Sequence, residues 1–273
     1  QVEDVSEDSS LLKLDEKYVD PPQNKSMPNQ NELLGVSAKA APVGFSKIKV
    51  FYGTNRSFQV SNSGGVTYSG TRSPICTLSM GNAEVTIPKT HNIGEIEEPS
   101  IFSLEITPNP DKHMVIKSVS KVKSSDFYGQ IRSKVQSSTA KDLLVYIHGY
   151  NMSFKDAILR TAQMTYDLNF AGAPVLFTWP SEGKLSGYFT DELNAAWSVR
   201  HLIKFLQDIV AQSGATKIHI VAHSMGNRVL TNALANLETA RLLPPKSFQQ
   251  IILAAPDMSP QLFVQVAKRV KSS

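Results

Sequence analysis

The chain has 273 residues, of which 41% are hydrophobic, and a formal net charge of +4. This size and composition fit one α/β domain better than two, and no apolar run approaches the roughly 20 residues that span a bilayer. The basic residues neither form a dense run nor alternate with aromatic ones, so we expect no nucleic-acid partner. The single cysteine, Cys76, excludes an internal disulfide, and we expect its side chain to be buried as a small apolar group.

The beginning of the chain differs in composition from the rest. Residues 1–35 hold eight acidic and three basic side chains, and proline, asparagine and serine are frequent up to about residue 45. This composition predicts a polar tail or linker at 1–45 and a folded domain at 46–273. The chain begins with Gln1 rather than methionine, which indicates a processed chain or a piece of a longer one. Export after removal of a signal segment and a cytoplasmic address both stay open.

Short apolar segments and helical patterns then alternate along the chain. Strands are predicted, in chain order, at "SKIKVFYGTNR", "AEVTIP", "SIFSLEITP", "HMVIKSVSKV", "LLVYIHG", "PVLFTWP", "KIHIVAH" and "QQIILAAPD". The third and fourth of these flank the turn sequence "NPDK" and predict a hairpin. Helices are predicted at "SSDFYGQIRSKVQSS", "SFKDAILRTAQMTYDLNF", "TDELNAAWSVRHLIKFLQDIVAQSG", "MGNRVLTNALANLETARLL" and "SPQLFVQVAKRV".

Two of these helices carry terminal signals. Ser153 is the predicted N-cap of one, while Thr190 and Gly214 are the predicted cap and stop of another. Continuous apolar strands that alternate with helices are typical of a mostly parallel sheet that is covered on both faces. The predicted fold class is therefore α/β.

The segment "KIHIVAHSMGNRVL" has the pattern of a nucleophile on a sharp turn between a strand and a helix. Ser224 stands at the turn, and the small residues Ala222 and Gly226 flank it where strand and helix approach closely. The helix that follows directs free N–H groups towards developing negative charge. A serine that merely caps the helix is the alternative interpretation.

An oxyanion formed at this serine needs two converging N–H donors. Met225, the residue after the serine, supplies the first candidate, and Tyr150 in "VYIHGYN" supplies the second. Gly149 permits the turn there, and His148 is expected to fix the loop by hydrogen bonding.

Five motifs together resemble the bacterial esterase/lipase-like α/β hydrolases formerly classed as a domain of unknown function. They are, in order, "VFYGTNR", "VYIHGYN", "LFTWPSEG", "VAHSMGNRVL" and "LAAPD", and the resemblance runs from about Lys47 to about Phe263. It implies an α/β-hydrolase fold and serine-dependent hydrolysis of an ester, without naming the substrate. The fold also implies that the nucleophile is followed along the chain by an acid and then by a histidine.

No histidine follows Ser224. If "LLVYIHG" is the third strand of the hydrolase sheet, the chain stops after the sixth, so we expect it to be truncated before the catalytic histidine. His223 adjoins the serine and cannot easily turn back onto it, and His201 is expected on a helix surface. His91 resembles a family motif position but precedes the sheet core.

Further side chains are candidates for the site. Asp257, at the end of the last predicted strand, is a candidate acid, with N-capping of the next helix as the alternative. Trp179 and Pro180 are expected to border an apolar pocket. Asp191 and Asn194 share a helix face, where cap and surface roles compete with substrate contact. Arg56 could pair with a carboxylate that the sequence does not identify.

These features predict a serine esterase that acts on a small-molecule ester through an acyl-serine intermediate, with no metal or cofactor. A non-catalytic binding or assembly domain and a thioesterase or amidase on the same scaffold are the alternatives. For this chain by itself we expect little or no turnover, because the base is missing.

Overall fold

The computed structural model describes residues 44–61, 64–99, 107–257, 261 and 264. Nine strands and four helices fall within these residues. The strands are β1 (Phe45–Thr54), β2 (Arg56–Val60), β3 (Val66–Arg72), β4 (Ser79–Pro88), β5 (Val115–Val122), β6 (Asp142–Ile147), β7 (Ala173–Thr178), β8 (Lys217–His223) and β9 (Gln250–Ala254). The helices are α1 (Ser124–Ser137), α2 (Phe154–Asp167), α3 (Tyr188–Gln212) and α4 (Gly226–Thr239).

Seven of the strands form one sheet in the order β5-β4-β1-β7-β6-β8-β9. Strand β4 runs antiparallel to both of its neighbours, and the pairings from β1 to β9 are parallel. The remaining two strands, β2 and β3, form a separate antiparallel ribbon. The predicted mostly parallel sheet is confirmed.

Helices cover both faces of this sheet because its strands are apolar on both sides. Leu143, Val145 and Ile147 of β6 face a core that includes α1, α3 and α4. Tyr146, between them, faces a second core that includes α2. This alternation explains why the central strands appear in the sequence as continuous apolar runs.

The helix termini match the prediction in one case and not in the other. Ser153 caps α2, and its side chain and that of Asp156 form a reciprocal capping box. The predicted Thr190 cap is wrong, because α3 begins at Tyr188, directly after a short 3-10 helix at Leu185–Gly187. Tyr188 is therefore the first residue of α3.

Three predicted segments lie wholly or partly outside the described residues. The tail predicted at 1–45 lies outside the described residues, apart from 44 and 45. The first arm of the predicted hairpin lies mostly outside them as well, while its second arm is β5, which pairs with β4. The final predicted helix is described only at 261 and 264. Among the helices that are described, none is both long and apolar enough to cross a membrane.

Candidate active site

Ser224 lies at a strained turn between β8 and α4. Its φ of 48° is in the left-handed region, which non-glycine residues seldom adopt. The Ser224 N–H donates to Ala254 O at 3.0 Å, and Ser224 O accepts from both the backbone and the side-chain amide of Asn227. These bonds hold the turn against the end of β9 and the first turn of α4, so the strained conformation is fixed from both sides.

Small residues allow the loop after β6 to approach this turn. A Cβ atom added to Gly149 would lie 2.8 Å from Ser224 Cβ, and one added to Gly226 would lie 2.4 Å from His148 O. Both distances are shorter than real Cβ contacts. Ala222 is fully buried and pairs with Ile147, the last residue of β6. Residues 148–152, which we call the 148–152 loop, therefore lie directly against the serine.

Two backbone amides beside Ser224 have no acceptor among the described residues. Within the described part of the chain, neither the Met225 N–H nor the Tyr150 N–H donates a hydrogen bond. Met225 is fully buried and Tyr150 is half-buried. Most buried N–H groups have partners, so two free ones next to a serine are available for a ligand oxygen.

His148 is a neutral, fully hydrogen-bonded residue beneath this loop. Its Nδ1 lies 2.7 Å from Gly149 O, which can only accept, so Nδ1 carries the proton. Its Nε2 accepts from the Trp179 N–H and lies 3.0 Å from Thr178 Oγ1. Burial, followed by the charge of Arg56, lowers the pKa of His148 to about 3.

Arg56 is buried next to His148, at the corner between β1 and β2. Its guanidinium donates to Met152 O at 2.6 Å, to Ser181 O at 2.9 Å and to Thr178 Oγ1 at 2.8 Å. Burial lowers the pKa of Arg56 to about 9, which leaves it charged at neutral pH. The described residues place no carboxylate in direct contact with it.

Asp191 lies in the first turn of α3 and is fully buried. Its carboxylate accepts from Ser181 Oγ at 2.5 Å, from the Glu182 N–H at 2.9 Å and from the Asn151 N–H at 3.2 Å. Of the roles that the sequence left open for Asp191, burial excludes the surface role. Asn194, on the same helix face, is also buried and accepts from Arg72 Nε.

Asp257 follows β9 at the same edge of the sheet, and its carboxylate already has two partners. Tyr188 Oη donates to it at 3.0 Å and Arg228 Nη2 at 3.3 Å, while its own N–H lies 3.4 Å from Ser224 O. Arg228 also pairs with Glu192. The structure thus brings Asp257 next to the serine turn, but its oxygens are bound to a phenol and a guanidinium rather than to a histidine.

All six histidines lie within the described residues, and none forms a hydrogen bond with the Ser224 hydroxyl there. His223 is exposed on the strand side of the turn, and His219 lies in the middle of β8. His113 accepts from the Asn109 N–H, and His91 binds Glu97 and Asp167. His201 is buried and donates to Cys76 O, so the expected surface position of His201 is wrong.

Trp179 and Pro180 support the 148–152 loop from below. Trp179 has no exposed surface, stacks on the His148 ring and donates through Nε1 to His148 O at 2.9 Å. Pro180 is buried as well. That these two residues border an apolar pocket stays a prediction, and the structure shows both of them buried. Cys76 is exposed, so its expected burial is wrong.

Tyr150 of the loop contacts Tyr188 at the start of α3. Their rings meet edge to face at 5.3 Å, and the Tyr150 hydroxyl donates to Leu185 O. Nearby, Leu185 and Phe189 are each 79% exposed. The sequence reasoning missed the contributions of Tyr188 and Arg228, whose partners lie 69 and 29 residues away along the chain, with no local pattern to link them.

Comparisons with known proteins agree with this architecture. A family model described as alpha/beta hydrolase of unknown function (DUF900) matches residues 123–273, which include Ser224 and the 148–152 loop but not β1 to β5. An uncharacterised protein of Nostoc sp. is similar, with 23% identity over 142 residues that cover 43% of this chain and 37% of that protein. No solved structure matches. With more than half of its length matched, the chain belongs to this family of α/β hydrolases.

Proposed function

We propose that the protein is a serine hydrolase that cleaves carboxylic esters through an acyl-serine intermediate. The observation that carries the proposal is the position of Ser224, which lies in a left-handed turn against Gly149. Beside it are two backbone amides for which the described part of the chain offers no acceptor. A helix-capping serine does not require this backbone strain or the empty donors. Strain of this kind is typical of functional sites.

In the proposed reaction, Ser224 Oγ attacks the carbonyl carbon of the ester and loses its proton to a general base. The Met225 and Tyr150 N–H groups then bind the oxyanion of the tetrahedral intermediate. The intermediate collapses as the protonated base returns its proton to the departing ester oxygen, and the neutral alcohol leaves. Water repeats the sequence on the acyl-serine and releases the acid. Removing one oxyanion donor typically lowers kcat by about 10²–10³.

The general base is proposed to come from outside the six histidines of this sequence. His148 has both nitrogens occupied, and the other five form no hydrogen bond with Ser224 among the described residues. Asp257 is the proposed acid, because it adjoins the turn and its side chain is 30% exposed. It would exchange Tyr188 and Arg228 for an imidazole N–H. Without a histidine at the serine, only the roughly 10³–10⁴-fold acceleration over water that binding and the oxyanion donors give would remain.

A non-catalytic binding domain is the second candidate. It is favoured by the occupied Asp257 carboxylate and by the absence, within the described residues, of a histidine at Ser224. A thioesterase or amidase would use the same groups as an esterase, since all three reactions pass through an oxyanion. Rates on matched p-nitrophenyl ester, thioester and anilide substrates separate these reaction types.

The test is labelling of the full-length gene product with a fluorophosphonate probe. We expect one labelled site, lost in Ser224→Ala and kept in Ser186→Ala, which changes an exposed serine nearby. Labelling that persists in Ser224→Ala would show that the nucleophile is another residue. No labelling and no turnover in the wild type would favour the binding domain.

A further inference from the structure

Two buried opposite charges lie on either side of the 148–152 loop. Arg56 is 1% exposed and Asp191 is 0% exposed, yet no direct ion pair joins them among the described residues. Burying a charge is costly unless hydrogen bonds compensate for the lost water. Here the compensating groups belong mainly to the loop and to the segment after β7, so both charges are held by the backbone that they contact.

On one side, Arg56 and the backbone N–H of Trp179 together define the state of His148. Arg56 Nη2 lies 3.3 Å from His148 Nε2, and a guanidinium can only donate. The Trp179 N–H is a second obligatory donor to the same nitrogen, at 3.1 Å. Nε2 must therefore be an unprotonated acceptor. This leaves the single ring proton on Nδ1, where it is donated to Gly149 O.

The Gly149 carbonyl belongs to the same peptide unit as the Tyr150 N–H. A trans peptide is planar, with its C=O and N–H pointing in opposite directions. Fixing Gly149 O towards His148 Nδ1 therefore fixes the Tyr150 N–H on the opposite side. If the proton moved to Nε2, Nδ1 would become an acceptor facing a carbonyl, and the peptide would be free to rotate.

On the other side, Asp191 holds the next peptide of the loop. Its Oδ2 accepts from the Asn151 N–H, and its Oδ1 accepts from the Glu182 N–H. Asn151 has a φ of 57°, so this segment of the loop is in the left-handed region. Ser181 Oγ links the two sides, since it donates to Asp191 and accepts from the Met152 N–H at 3.0 Å.

We propose that Arg56 and His148 form a relay that orients the Gly149–Tyr150 peptide as an oxyanion donor, while Asp191 holds the following peptide in place. The consequence for catalysis rests on the proposed function of Ser224. Arg56, His148 and Asp191 are positioning residues in this scheme, because they contact the loop and not the substrate. Arg56 belongs to β2, outside the range that the family model matches, so the N-terminal strands take part in the site.

The first test reads the relay directly, by NMR of the His148 ring in the folded protein. We expect a neutral imidazole with its proton on Nδ1 throughout pH 5–8. In Arg56→Met the Trp179 N–H still donates to Nε2, so we expect the Nδ1 tautomer to stay the major form, with a minor Nε2-protonated population that the wild type lacks, because Thr178 Oγ1 no longer accepts from Arg56 and can accept from Nε2. In Asp191→Asn we expect faster amide exchange at Asn151 and Glu182. Arg132→Met is the matched control, because Arg132 also donates to a backbone carbonyl, that of Gln212, but is exposed and far from the loop.

The second test uses the full-length gene product with p-nitrophenyl esters. A misplaced oxyanion donor should lower kcat by about 10²-fold in Arg56→Met, with KM changing far less. If Arg56→Met does not fold, the same constants are measured on Arg56→Lys, which keeps the charge. Arg132→Met should leave both constants unchanged.

Each outcome bears on one part of the proposal. A wild-type His148 with its proton on Nε2, or one that titrates between pH 5 and 8, would overturn the relay whether or not the protein is an enzyme. Folded Arg56 variants with an unchanged His148 tautomer and unchanged kcat would overturn it too. A wild type that neither labels nor turns over, but keeps the Nδ1 proton, would contradict the esterase function and leave the relay supported.

Discussion

The left-handed backbone of Ser224 costs about 1–2 kcal/mol relative to an ordinary conformation, and its neighbours explain how it persists. Hydrogen bonds fix the turn to the end of β9, and Gly149 and Gly226 remove the Cβ atoms that would push the loop away. The small residue, serine and glycine pattern was sufficient to predict this turn. The burial of the neighbouring charges was not predictable in the same way.

Arg56 and Asp191 show why sequence reasoning stops there. Arg56 reaches His148, which is 92 residues away, and Asp191 reaches Asn151, which is 40 residues away. An arginine after a strand and an aspartate in the first turn of a helix are usually solvated. Only the packing of β1 beside β7, and of the start of α3 under the loop, places them inside.

A glycine substitution tests the close approach of the 148–152 loop to Ser224. Gly149→Ala should destabilise the fold by about 1–3 kcal/mol, because the added methyl overlaps Ser224 Cβ. Gly129→Ala is the control, since nothing lies within 4 Å of its added Cβ in α1, and it should stabilise by about 0.5–1 kcal/mol. Urea unfolding measures both. An increase in the free energy of unfolding of Gly149→Ala would mean that the loop does not lie against the serine.

At the scale of elements, apolar patterning predicted the existence of the strands and helices better than their ends. The runs in β6, β7 and β8 are continuous because helices cover both faces of the sheet. The start of α3 was missed because Gly187 precedes it without a side-chain cap. The pairing of β1 with β7, between elements more than 100 residues apart, has no signal in a single sequence.

His91 is one of the residues that attach the segment after β4 to α2, together with Gly94 and Glu98. His91 is 2% exposed and contacts Glu97 through Nδ1 at 2.9 Å and Asp167 through Nε2 at 2.8 Å. Burial lowers the pKa of His91, but the hydrogen bonds and charges of the two carboxylates raise it by more. The net shift of the His91 pKa is therefore upward. Burial raises the pKa of Glu97 and of Asp167, but hydrogen bonds from His91 and from backbone N–H groups, together with the His91 charge, outweigh it and lower both pKa values.

The sign of these shifts predicts how stability depends on pH. The histidine contribution is fully present below its unfolded pKa of 6.5 and is lost as pH rises through the raised folded value. The carboxylate contributions are present above unfolded pKa values of 4.5 and 3.8 and are lost in acid. We therefore expect His91→Gln to lower the free energy of unfolding by about 1.5–3 kcal/mol at pH 5.5 and by clearly less at pH 8.5.

Denaturant unfolding of the wild type and His91→Gln at both pH values measures this difference. His113→Gln provides a control at another buried histidine. A loss that is the same at pH 5.5 and pH 8.5 would show that His91 is neutral in the folded protein and that its contribution is packing alone.

At the scale of the whole molecule, the parallel strands explain why distant residues meet. The carboxyl ends of β1, β6, β7, β8 and β9 all lie at one edge of the sheet, as parallel strands require. Arg56, the 148–152 loop, Trp179, Ser224 and Asp257 each follow one of these ends within a few residues. The predicted parallel sheet was therefore enough to bring the serine, the loop and Asp257 together, whereas their hydrogen-bond partners required the structure.

The most direct measurement of the central claim is a crystal structure of the full-length gene product with a phosphonate bound to Ser224. We predict that the phosphoryl oxygen lies about 2.7–3.1 Å from both Met225 N and Tyr150 N. An adduct whose oxygen points to solvent, with either amide bonded to another acceptor, would contradict it.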